Sequence, residues 1–340
     1  MKIIFWGVGE FAQNICSKME VNKDFYIDDI IFFCDNNSDL WGEYFFQKEI
    51  KSPQEVQKNI FDYVVILSIY EKAIRNCLQN ELGISEEKIL TYREYYSMCH
   101  TRYAYLQRYG NEKCTHNTVF NTKRLVVYTS ITGNYDDLQD PLFIDPDIEY
   151  VCFTNNREIK SNIWNVEYIS DNDLSDMMLA KKMKLFPHEL FKEYDTSVWV
   201  DGKFQIIEDV RTYIMEYEKS QPMLCFPHFE RNCIYSEASE CILREKGKKE
   251  QILHQISDYY KEAYPVDNGL YEMGCIVRNH NDERVINLME QWYNQIEMYS
   301  NRDQISFPYV CWKNDFLPDI CDRSINRNKW MVVKKHKMLG

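Results

Sequence analysis

No Cys-x-x-Cys pair occurs in this chain, although it carries 12 cysteines in 340 residues. That excludes the usual thioredoxin and zinc-ribbon signatures. The cysteines sit in apolar runs instead, with Cys34 after "IIFF", Cys152 in "YVCF" and Cys225 in "MLCF". Buried reduced thiols of a cytoplasmic protein are the expectation there. A surplus of positive charge is also missing, since 40 Lys and Arg face 53 Asp and Glu for a formal charge of -13. Nucleic acid as a partner is thereby disfavoured, because phosphate contacts need a net excess of Lys and Arg. A small anionic ligand in a local basic pocket is not excluded. No run approaches the ~18 apolar residues of a membrane span, and the longest, such as "YVVILSIY", are strand-sized. The opening "MKIIFWGVGEF" lacks the apolar core and small-residue cleavage site of a signal peptide. The acidic balance gives no support for direct attachment to an anionic membrane, though peripheral association with a membrane-bound acceptor is compatible with it. Oligomeric state is left open.

What is present is alternation, in an α/β pattern without repeats or low-complexity tracts. Residues 1–97 read as strand ("KIIFWG"), helix ("EFAQNICSKMEVN", apolar at Phe11, Ile15 and Met19), strand ("IDDIIFFCD"), short helix ("SPQEVQKNI"), strand ("DYVVILSI") and helix ("YEKAIRNCLQNELG"). This predicts a Rossmann-like parallel-sheet domain. Residues 98–122 read as a helix and linker. Residues 123–340 read as a second α/β unit with a mixed sheet, with strands at "LVVYTSI", "EYVCFTN", "WNVEYIS", "SVWVDG", "KFQII", "PMLCFPH" and "GCIVRN". Single helices are expected over "DMMLAKKMKLFPHELF" and over the long stretch from "IYSEASEC" to "DYYKEA".

Only 11 glycines are present, so each glycine cluster stands out. "GVGEFA" fits G-x-G-x-x-G/A after a strand and before a helix. Gly7 and Gly9 would let the backbone turn tightly and approach a diphosphate, with Asp35 at the end of the second strand as the ribose-binding acid. The alternative is that the glycines merely close a strand-to-helix turn. With "CDNNSDLWGE" and "IKSPQEV", the segment resembles a Rossmann-like module of bacterial surface-polysaccharide enzymes. The resemblance implies a nucleotide or nucleotide-sugar pocket; NAD and hydride transfer are not expected.

"SVWVDGKF" raises a second question, because an apolar strand ends on the carboxylate of Asp201. Asp-Gly between β-prone residues is a hairpin signal. A carboxylate at a strand exit is equally a place where a hard cation meets a diphosphate. In order, "YTSITGNYDD", "YVCFTNN", "SVWVDGKF", "H-x-x-R-x-C-I-Y-x-E-A", "VDNGLYEMGCIVRN" and "RDQ-x-S-F" resemble a glycosyltransferase-like family once catalogued as a domain of unknown function. That family includes plant proteins of cell-wall mucilage synthesis, and the resemblance covers about residues 124 to 315.

The resemblance implies a GT-A-like fold, a nucleotide-sugar donor of UDP type and Mn²⁺ or Mg²⁺. The family's acid-bearing strand falls on Asp201, but the usual second acid is absent, since residue 203 is lysine. His228 and His280 are then the candidate further metal ligands, or Lys203 neutralises the diphosphate without a metal. Thr129, Ser130, Thr132 and Gly133 suit nucleotide contacts, Tyr135 a stacked base, and Asn155 and Asn156 a base edge or ribose. Lys181 and Lys184 share a helix face within reach of phosphate, and Arg231 beside His228 would form a cationic pair. Asp303 either caps its helix or acts as general base, with Glu272 and Asp267 as rivals. Trp199, Trp292, Tyr293 and Trp312 line a sugar platform or belong to the core. The expected function is transfer of a sugar to a glycan or lipid-linked acceptor in surface or capsular polysaccharide synthesis. The alternatives are a non-catalytic nucleotide-sugar-binding scaffold and an NAD-linked enzyme using the N-terminal turn.

Overall fold

The computed structural model describes residues 2–21, 27–96, 119–133, 135–170, 173–228, 230–321, 323–326 and 328–334. Of the helix and linker expected over 98–122, residues 98–118 lie outside the described residues. The chain divides into two compact units, Met1–Tyr103 and Ala104–Gly340.

The first unit is built on a six-stranded sheet in the order β3-β4-β2-β1-β5-β6. Its strands are β1 (Ile3–Trp6), β2 (Ile30–Cys34), β3 (Tyr44–Phe45), β4 (Lys48–Lys51), β5 (Tyr63–Ile66) and β6 (Ile89–Thr91). All neighbours run parallel except β3 and β4. Side chains alternate across the sheet: Ile3, Phe5, Phe33 and Val65 pack on one face, Ile4, Trp6, Phe32 and Val64 on the other. Burial on both faces is why these strands read as unbroken apolar runs. Helix α1 (Glu10–Val21) follows β1, and α2 (Glu71–Asn76) follows β5. The short helix expected over "SPQEVQKNI" is only a 3₁₀ turn at Pro53–Glu55.

The second unit carries a seven-stranded mixed sheet in the order β14-β12-β13-β10-β7-β8-β9. These are β7 (Leu125–Ile131), β8 (Glu149–Thr154), β9 (Asn165–Tyr168), β10 (Thr196–Val200), β12 (Met223–Pro227), β13 (Tyr271–Arg278) and β14 (Asp319–Ile320). Strands β10, β7, β8 and β9 run parallel, while β13 is antiparallel to both β10 and β12. This is the mixed α/β sheet expected from the alternation of strands and helices over residues 123–340.

One face, with Tyr128 and Trp199, is covered by α3 (Asp176–Leu185), α8 (Glu283–Met298) and α9 (Asp303–Lys313) through Met183, Leu185, Leu288, Trp292, Ile305 and Phe307. The other, with Val127, Val198 and Val200, is covered by α5 (Val210–Tyr217) and by Phe204 and Trp330.

Two expected single helices are each broken. "DMMLAKKMKLFPHELF" ends α3 at Leu185 and restarts as α4 (Pro187–Leu190), because proline lacks the N–H that would continue the ladder. The long stretch splits into α6 (Ile234–Leu243) and α7 (Lys249–Lys261), with Glu245 and Gly247 at φ of 53° and 119° between them.

"SVWVDGKF" is a turn but not a hairpin. Phe204 N–H donates to the Asp201 carbonyl at 2.9 Å. The next strand, β11 (Phe204–Ile206), then pairs with β15 (Met331–Val333) rather than with β10. Gly202 is not in the left-handed region. A Cβ there would lie 3.0 Å from the Ile131 side chain, so the glycine serves close packing of two strand ends.

Candidate active site

A cavity of about 760 Å³ opens where β7 and β10 end. Three elements converge on it because residues of one sheet face share their direction. Trp199 and Asp201 are two apart in and just beyond β10, so both point to the side covered by α3 and α9. The Trp199 indole donates to Asp201 Oδ1 at 2.7 Å. From α3, Lys184 Nζ lies 3.5 Å from the same oxygen and 2.8 Å from Asp303 Oδ2. Lys181, one turn earlier, reaches Asp303 Oδ2 at 2.6 Å. The i, i+3 spacing thus delivers two ammonium groups to one carboxylate at the first residue of α9.

Lys184 is only 3% exposed. Burial works against its charge, but Asp201 and Asp303 outweigh that and raise its pKa. Lys181 goes the other way, lowered chiefly by burial and further by Lys184, with Asp303 opposing. Burial likewise opposes ionisation of Asp303, yet the two lysines hold its carboxyl well below the usual range. Asp303 Oδ1 is buried and takes no hydrogen bond from any described residue. Lys184 is fixed from behind by Arg278, fully buried on β13, whose guanidinium donates to the Lys184 carbonyl at 2.8 Å and to the Tyr128 hydroxyl. A cation at that carbonyl also suits the C-terminus of α3.

Around Asp176, at the start of α3, the cavity wall is polar and acidic. Thr132 Oγ1 donates to the Asp176 carbonyl at 2.7 Å. Asn155 Nδ2 donates to Asp176 Oδ1 at 2.6 Å, and the Gly133 N–H donates to Asn155 Oδ1 at 3.0 Å. Gly133 has φ of 63°, and a Cβ there would sit 2.5 Å from Asp176 Oδ2. Ser130 lies in the wall, and Tyr135, 58% exposed, stands at the mouth. Thr129, one residue earlier, is buried in β7 and does not reach the cavity.

Several expected ligands are placed elsewhere. His280 follows β13 beyond Arg278, which pairs with Ser197 near the start of β10, whereas Asp201 follows the far end of β10. The antiparallel pairing therefore separates the two by the length of the strand. His228 is buried, with Nδ1 accepting the N–H groups of Glu230 and Arg231 at 3.2 and 3.1 Å. Its Nε2 faces Glu272 at 3.4 Å and Glu237 at 3.5 Å. Burial first, then Arg231 and Lys246, drive its pKa down to about 3, so it stays neutral. Arg231 pairs with Glu237 at 2.6 Å and Glu230 at 2.9 Å. Neither residue lines the cavity, so they are not the cationic pair expected for a leaving diphosphate. Among the described residues no three His, Cys, Asp or Glu side chains form a metal-holding group. Trp292 is core, donating to Ser306 Oγ at 3.0 Å, and of the four expected platform aromatics only Trp199 lines the cavity.

Glu272 stands just behind the site. Its Oε2 accepts from Gln304 Nε2 at 3.4 Å, and Gln304 lines the cavity beside Asp303. Burial raises its pKa to about 7, against the pull of Lys203 and Gln304. Asp267 has φ of 53° and lies outside the cavity wall. Sequence reasoning missed Asp176, Arg302 and the Glu245–Gly247 rim. The lone glycine in "REKGKKE" is the signal for the rim, because it breaks the helix and turns the chain toward the cavity.

In the first unit, Gly7 has φ of 119°, and a Cβ there would lie 2.4 Å from the Leu67 carbonyl oxygen. A Cβ at Gly9 would meet nothing within 4 Å. Asp35 accepts the Val8 N–H at 3.2 Å and the Asn37 N–H at 2.9 Å. The turn thus closes on its own carboxylate, and Gly7 is required by the neighbouring strand end.

Comparison with known proteins gives the following similarities. Residues 1–90 match the C2185-like N-terminal family. The chain is 24% identical over 216 residues to the probable hexosyltransferase MUCI70 of Arabidopsis thaliana, covering 55% of this chain and 37% of that protein. Among solved structures, the bifunctional glycosyltransferase WbbM in its apo form is similar at 13% identity and a TM-score of 0.35, over 59% of this chain and 38% of that one. Residues 111–330 match the TOD1/MUCI70 glycosyltransferase-like domain, so the chain belongs to that family.

Proposed function

We propose that this chain transfers a hexose from a nucleoside-diphosphate donor, of UDP type, to a hydroxyl of a glycan or lipid-linked acceptor in surface-polysaccharide assembly. The observation that carries the reading is the Lys181–Asp303–Lys184–Asp201 cluster in a cavity at the parallel strand ends. Ligands of α/β sheets bind outside the carboxyl ends of strands.

The polarity of the cavity orients the donor. Acceptor groups of Asp176 and the hydroxyls of Ser130 and Thr132 suit base and ribose, while the lysines suit diphosphate. The hexose then lies toward Asp303 and Gln304. In the transfer the bond from the anomeric carbon to the diphosphate oxygen breaks, and the electron pair leaves with the nucleoside diphosphate. Cations fixed in place before the reaction stabilise that charge. The lysines keep Asp303 ionised, which makes it a weak proton acceptor. Its buried Oδ1, which takes no hydrogen bond from any described residue, would accept from a sugar hydroxyl that reaches it.

Release of nucleoside diphosphate from UDP-, GDP- and CDP-hexoses tests the reading, with and without oligosaccharide acceptors. UDP-hexose turnover is expected, lowered about 100-fold in Asp303→Asn. Absence of nucleotide binding and of turnover with every donor would overturn it.

A further inference from the structure

We infer that the donor diphosphate is held by this chain's own ammonium groups, Lys181 and Lys203 with the buried Lys184 behind them, in the place where a divalent cation would otherwise sit. The inference rests on the donor reading above and deepens it. Three observations lead here.

Asp201 lines the cavity but is already a counterion there. Its Oδ1 accepts the Trp199 indole N–H at 2.7 Å and lies 3.5 Å from Lys184 Nζ. Moving this carboxylate to a dication would strip a buried ammonium of one of its two counterions.

None of the three positions expected to supply a second protein ligand does so. Residue 203 is lysine. His228 Nδ1 already accepts two backbone N–H groups, and its Nε2 faces two carboxylates. His280 lies at the other end of the strand pair.

The charge balance points the same way. Three ammonium groups, those of Lys181, Lys184 and Lys203, line the cavity with Asp201 and Asp303; Asp136, Asp176 and Glu245 line it too, and Lys203 also interacts with the buried Glu272. An incoming diphosphate is attracted there, whereas a dication among three ammonium groups is repelled. Lys203 stands where the missing second acid of an Asp-x-Asp pair would be, so one cationic side chain replaces both the acid and its metal. When the glycosidic phosphate bond breaks, the new charge on the departing β-phosphate is neutralised by ammonium protons already in place. The acceptor oxygen forms its bond to the anomeric carbon, and its proton passes to water in the open cavity.

Calorimetric titration of the full chain with UDP, in excess EDTA and again with Mn²⁺ or Mg²⁺, tests this. Affinity is expected to be the same within about twofold in all three conditions, and Lys203→Ala to weaken UDP about tenfold or more while leaving uridine unchanged. Circular dichroism melting of the variant separates lost binding from lost folding. UDP binding by wild type that EDTA abolishes, or unchanged UDP affinity in a folded Lys203→Ala, overturns the inference and leaves the donor reading standing. No binding of UDP, GDP or CDP in any condition overturns both.

Discussion

Lys184 and Glu272 are the two residues whose surroundings bear most on the chemistry. Lys184 is a buried ammonium held between Asp201 and Asp303. Truncating one member of such a buried set leaves uncompensated charge, so Lys184→Met is expected to cost about 3 kcal/mol in urea unfolding. Glu272 works in the opposite sense. Its carboxyl is raised from 4.5 to about 7 by burial, so the folded state binds this proton more tightly than the unfolded chain. Between those values the native protein carries more protons, and stability falls as pH rises; above about 7 the full cost is present. Glu272→Gln removes it. The variant is expected to match wild type below pH 4.5 and to gain on it up to about 7, levelling off at about 3 kcal/mol. Unfolding curves across that range check the sign, and an equal offset at every pH would refute it.

At the scale of elements, glycine positions separate packing from ligand binding. Gly7→Ala places a methyl against the Leu67 carbonyl at a φ of 119°. It should destabilise the first unit by about 3 kcal/mol. Gly9→Ala meets open space and should stay within about 0.5 kcal/mol of wild type. A Gly9→Ala variant that lost stability would show that this reading of the turn is wrong.

Gly133 is the counterpart in the second unit, where a methyl would strike Asp176, the first residue of α3. Gly133→Ala is therefore expected to weaken UDP binding by displacing the helix that carries Lys181 and Lys184. Titration of the variant beside Gly9→Ala provides the comparison. The break between α6 and α7 belongs to this scale too, since an uninterrupted helix there would not bring Glu245, Lys246 and Gly247 to the rim.

On the scale of the whole molecule, the cavity is lined by residues between Ser130 and Gln304, all within the second unit. Phe33 is buried in the core of the first unit, edge-on to Phe5 at 5.4 Å. Phe33→Ala should cost that unit about 3–5 kcal/mol while leaving UDP affinity unchanged. A parallel loss of affinity would mean that the first unit supports the donor site.

The two α/β units, their strands and the strand-end position of Asp201 were legible because period and burial are local properties. The buried strands centre on apolar runs such as Val198–Val200, and "GVGEFA" and "VDGK" mark turns at their ends. Lys181 and Lys184 could be placed on one helix face by counting residues, and Asp303 at a helix start, although Arg302 holds the N-cap position and Asp303 does not cap. What those side chains meet is not local. Asp303 is 119 residues from Lys184, and only the packing of α3 and α9 on one sheet face brings them together. The antiparallel pairing of β13 with β10 carried His280 away from Asp201, and burial beside Glu237 and Glu272 removed His228 from consideration. Sequence determined the elements and the residue types at their ends, because hydrophobic period and turn chemistry act over a few residues. The tertiary structure alone decided which charges share a cavity, because a buried ion's partners are chosen by strand order and helix packing across the chain.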